Sequence, residues 1–101
     1  MAKTQPLTPA ELRESETPPA GLSGPLTALW HAAKGEWDKA HAVIQDDESK
    51  AAAWVHAHLH RVEGDHPNAG YWYGRAGKPH CKDPLDSEWQ TIAGALLVMR
   101  G

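Results

Sequence analysis

From Pro25 onward apolar residues return at intervals of three and four, the period of helices that bury one face. Leu26, Leu29, Trp30 and Ala33 mark a first helix over 25–34, closed by Gly35. Trp37, Ala40, His41 and Ile44 place a stripe on a second helix over 36–45, which stops at Asp46-Asp47-Glu48. Those acids suit the start of a third helix over 48–63, where unpaired backbone N–H groups favour negative charge. Gly64 ends it, and Asp65 caps a fourth that tolerates Pro67 in its first turn and runs to Ala76-Gly77. Lys78 to Lys82 reads as loop. The last helix starts either at Asp83-Pro84 or at Ser87-Glu88-Trp89-Gln90, the second matching a capping box, and carries Trp89, Ile92, Ala93, Leu96 and Met99 on its apolar face. No segment shows the period-two alternation of a half-buried strand. The predicted class is all-α, a compact bundle of about five helices.

Residues 1–24 read differently, as an extended proline-rich arm preceding a helical domain over 25–101. Five of the eight prolines fall by residue 25, and few large apolar residues accompany them. Thr8-Pro9-Ala10-Glu11 has the signals of a short helix reaching Glu14, but the arm as a whole is expected to be floppy or loosely docked.

Composition narrows the function classes. Ten Lys+Arg stand against 13 Asp+Glu, with no basic run, which argues against nucleic acid or an anionic membrane surface as partner. The longest apolar stretch, Ile92 to Met99, is far short of the roughly 20 residues of a membrane span. Met1 to Leu7 lacks the apolar core of a signal peptide, and a single Cys81 excludes an internal disulfide, so a cytoplasmic protein is expected. Five Trp, two Tyr, no Phe and seven His suit small cores and binding surfaces alike.

Lys34-Gly35-Glu36-Trp37-Asp38-Lys39-Ala40 aligns with Glu63-Gly64-Asp65-His66-Pro67-Asn68-Ala69, matching a charged residue, a glycine, an acid and an alanine. Glycine permits the sharp turn, the acid caps the following helix and alanine lets helices approach, so the unit is an αα-hairpin. Gly64-Asp65, Ala69, Tyr73, Ala76 and Pro79 resemble the second half of a tetratricopeptide or Sel1-like repeat, and Gly35, Trp37, Ala40 and Ile44 echo it. The stretch from Ala53 to Gly77 also resembles a small family of uncharacterised bacterial proteins to which no activity is assigned. The resemblance implies two hairpins; fewer than three repeats point to a compact bundle, not an extended solenoid.

Candidate chemistry concentrates on the third helix. At about 100° per residue, Ala52, Val55, Leu59 and Val62 form its core stripe, while His56, His60 and Glu63 share one flank. Imidazoles four residues apart can share a metal ion, with Glu63 adding an oxygen and His66 close enough in sequence to join; solvated or hydrogen-bonded histidines are the competing explanation. Ala57 after His56 rules out the zinc-protease pattern. Trp54, His58 and Arg61 occupy the opposite flank, as a ligand groove or as packing against the fourth or fifth helix. Of Tyr71, Trp72 and Tyr73, Tyr73 is in register with Ala69 and Ala76 and is the core candidate. His80-Cys81 has no orienting group for nucleophilic catalysis, and no catalytic residue is assigned.

The leading functional expectation is a non-enzymatic helical module, without cofactor, that binds a protein or peptide or forms a homodimer. Its surface would include Trp54, His58, Arg61, Tyr71 and Trp72. The alternative is a protein binding a divalent transition metal such as zinc through His56, His60 and Glu63, with His66.

Overall fold

The computed structural model describes residues 7–99, with the side chain of Met99 outside the described set. Its helices are α1 (Pro9–Glu14), α2 (Gly24–Ala33), α3 (Trp37–Ile44), α4 (Lys50–Val62), α5 (His66–Ala76) and α6 (Leu85–Met99). No strand occurs among the described residues, and the protein is all-α.

Local chemistry explains most boundaries. Ser23 and Ser49 cap α2 and α4 by accepting from Leu26 N and Ala52 N, and Asp65 caps α5 by accepting from Asn68 N. The acidic run expected to open the third helix instead precedes it: Asp47 accepts from Ser49 N at 2.9 Å and orients the serine that caps. For α6 the Asp83-Pro84 start prevails, with Glu88 N bonding to Pro84 O at 3.0 Å, and Ser87 lies inside the helix. Both hairpin turns use a left-handed glycine, Gly35 at φ 76° and Gly64 at φ 82°, a region L side chains rarely adopt. Each turn closes alike, Glu36 N on His31 O at 2.9 Å and Asp65 N on His60 O at 2.8 Å.

Helix α2 packs chiefly on α3, and α4 on α5, while α6 lies across α4 and α2 and carries α1. Leu26, Leu29, Ile44, Val55, Leu59 and Ile92 are fully buried at the centre. Val62, placed on the core stripe by periodicity, is 46% exposed as the last residue of α4. Tyr73, Ala69 and Ala76 all point inward.

From Thr8 onward the arm is held against the domain. Thr8 and Glu11 complete a capping box at 3.1 and 3.0 Å, and Leu12 is fully buried among α2 and α6 residues. Trp30 Nε1 donates to Ser15 O at 3.0 Å, Lys34 to Arg13 O at 2.9 Å, and Arg13 pairs with Asp86 at 2.7 Å beside the Trp89 ring. Leu7 and Leu22 pack partly buried against the same core, so three widely spaced leucines, a weak pattern in sequence, seat the arm while the polar groups between them are satisfied. Leu12→Ala is expected to cost about 2 kcal/mol in urea unfolding, whereas a freely moving arm would leave the midpoint unchanged.

Candidate metal centre

Three imidazoles from two helices meet between the hairpins. His41 stands one turn after Trp37 on α3, and His56 and His60 stand one turn apart on α4. The α3–α4 crossing is tied by Trp37 Nε1, which donates to Leu59 O at 2.7 Å. One nitrogen from each of His41, His56 and His60 lies within 4.8 Å of the other two. Trp37 stacks on His41 at 5.0 Å and 8°, and Trp72 from α5 lies flat on His56 at 4.0 Å and 10°. The cluster is therefore floored and walled by indoles.

The three rings differ in how their nitrogens are satisfied. His60 Nδ1 donates to Glu63 Oε1 at 2.6 Å, which leaves the lone pair on Nε2. His56 is 2% exposed, and neither of its ring nitrogens has a hydrogen-bond partner. Burial pushes His56 down to about 4, helped by the neighbouring His41, His60 and Arg75; the Ile44 backbone opposes the shift without completing a hydrogen bond. A neutral imidazole with its one lone pair unengaged is what a transition metal requires.

The donors fit a borderline ion in kind, being nitrogen only, and nearly in position. Zinc–nitrogen bonds of about 2.0–2.1 Å place tetrahedral donors about 3.3 Å apart, so the imidazoles need to close by about 1.5 Å at most. Glu63 does not join His56 and His60 as a ligand; it sits behind His60 as the carboxylate that fixes the ring. His66 is not part of the three-histidine group; it is exposed at the start of α5 with His80 as its ring neighbour at 6.3 Å. Asp65, near His60 and Glu63, is occupied in capping Asn68 N and Nδ2. His41 was visible as part of the α3 stripe, but its pairing with α4 depends on how the helices cross.

The other flank of α4 is spent internally. His58 Nδ1 and Arg61 Nη1 both donate to Glu88 Oε1 at 2.8 Å, and the Tyr73 hydroxyl donates to Oε2. His58 and Glu88 are each 3% exposed, so His58 is unavailable to a surface partner. Burial by itself would raise the Glu88 carboxyl, but the bonds from His58, Tyr73 and Arg61 outweigh it and hold the group down at about 2. Burial likewise pushes the Tyr73 phenol upward, and Glu88 reinforces the shift. Glu88 shares a face with Ile92 and Leu96 at four-residue steps, a signal that the capping-box pattern of Ser87 obscures.

The remaining aromatic positions divide. Trp54 is partly buried, with Lys78 Nζ 4.2 Å from its ring centre. Tyr71 is 55% exposed and accepts from Arg75 Nη1 at 2.9 Å, while Trp72 is half covered by His56. No helix among the described residues is long and apolar enough to cross a membrane.

No family model, curated protein or solved structure matches the chain. Fold and site together define a small all-α protein with a three-histidine cluster between two helical hairpins.

Proposed function

We propose that this protein binds a divalent transition-metal ion through His41, His56 and His60. The observation that carries this reading is His56: two ring nitrogens buried without partners, beside two further imidazoles. Leaving a buried polar group unpaired costs about 1–3 kcal/mol, a penalty that a bound ion would convert into affinity. Imidazole-only donation favours zinc, copper or nickel over calcium or magnesium. The aromatic-surface reading is second, supported by the exposed Tyr71 with Arg75 beside it. Kinship with tetratricopeptide or Sel1-like repeats is likewise proposed, supported by two hairpins that turn on equivalent left-handed glycines.

Calorimetric titration of tag-free, chelator-stripped protein with zinc at neutral pH is expected to show one ion per chain, lost in His41→Ala. Glu63→Gln keeps an acceptor for His60 but removes the charge; because Glu63 is 41% exposed, the expected weakening is about tenfold, the lower end of the range for such outer carboxylates. Absence of stoichiometric uptake, or unchanged affinity in His41→Ala, would sink the proposal.

A further inference from the structure

We infer that an ion held by His41, His56 and His60 takes its fourth ligand from solution, as water or a small monovalent anion; this rests on the metal site proposed above. Zinc-type ions favour four donors, and the cluster supplies three. Among the described residues no fourth histidine, cysteine or carboxylate joins the group within the same distance. Glu63 is committed to His60 Nδ1 and Asp65 to Asn68. The flanking Trp37 and Trp72 present rings whose single N–H can donate but cannot ligate.

Access and charge favour the same occupant. His56 closes the floor, whereas His41 is only partly buried, so solvent reaches the cluster from the α3 side. Three neutral imidazoles leave both charges of a divalent ion uncompensated. Glu63 supplies one negative charge at His60. Arg75, whose guanidinium lies 5.3 Å from the Trp72 ring centre, adds a positive field at His56. A small anion is therefore better matched electrostatically than a second cationic or neutral side chain from elsewhere. Closed structural sites fill four positions with protein donors, and this cluster lacks the fourth.

The test uses the full chain, tag-free, loaded with cobalt(II), whose visible d–d bands report ligand number and geometry. Azide titration is expected to shift those bands saturably, and the cobalt spectrum itself should be lost in His41→Ala. Cobalt bands that appear with one ion per chain but ignore azide would overturn the open position while leaving the three-histidine site standing. Failure of the wild-type chain to take up cobalt would overturn the metal site and this inference with it.

Discussion

Glu88→Ala is expected to destabilise the fold by about 3–5 kcal/mol, the range found when one partner of a buried ion pair is removed. The two Glu88 oxygens accept from His58, Arg61 and Tyr73, residues on α4 and α5, so one carboxylate joins the second hairpin to α6. Its loss strands an imidazole that is 3% exposed and leaves a guanidinium that is 11% exposed with only the Asp83 carbonyl as acceptor. Against a total stability of about 5–15 kcal/mol for a domain, this variant stands near the edge of folding, and Tyr73→Phe, which removes one hydroxyl, provides a milder companion at about 1 kcal/mol. Urea unfolding followed by tryptophan fluorescence reads both. A Glu88→Ala variant within 1 kcal/mol of wild type would show that water replaces the network at no cost.

The same carboxylate sets an acid limit. In the unfolded chain Glu88 takes up a proton near its ordinary 4.5, and in the folded protein only near 2. Between these values the unfolded state binds more protons, so stability is full above about 4.5 and is lost as pH falls towards 2. Glu88→Gln should flatten the unfolding free energy over this window.

Features governed by neighbours in sequence were legible before the fold was known. Asp65, Pro67 and Gly77 delimit α5 through the N–H, φ and left-handed requirements of one helix, and Tyr73 follows from its register with Ala69 and Ala76. Features set by helix crossings were not. His56 and His60 share a flank because they share a helix, but the third nitrogen comes from α3, and His66, much closer in sequence, lies elsewhere. Glu63 illustrates the intermediate case: its proximity to His60 was readable, while its role behind the ring depends on side-chain direction at the C-terminal end of α4. Glu88 shows how a local signal misleads, since Ser87 and Gln90 suggested a helix start at a position where burial of the acid against α4 and α5 governs. The anchoring of the arm by Leu12, with Leu7 and Leu22 beside the same core, was likewise invisible without the cleft that receives them.

His56→Leu is expected to stabilise the metal-free protein while abolishing metal binding. Replacing the imidazole by an apolar side chain of similar size removes two unpaired buried nitrogens, each costing about 1–3 kcal/mol. It also forfeits the stacked contact with Trp72, worth about 0.5–1.5 kcal/mol. The first effect, about 2–6 kcal/mol for the two nitrogens together, exceeds the second, and a net gain of at least about 0.5 kcal/mol is expected in chelator-treated protein. Acid sensitivity should change with it. His56 takes up a proton near 6.5 when unfolded but only near 4 when folded. Across that window the unfolded state again binds more protons, so His56 makes the wild-type protein lose stability as pH falls, a contribution the variant lacks. Zinc affinity, measured by the same titration as for wild type, should fall more than a hundredfold, because His41 and His60 alone lack the buried neutral donor. A variant less stable than wild type at pH 7 would show that the histidine is retained for packing. A variant more stable but unable to bind zinc would show a destabilised core position kept for its nitrogen lone pair, the exchange of stability for function expected of a binding site.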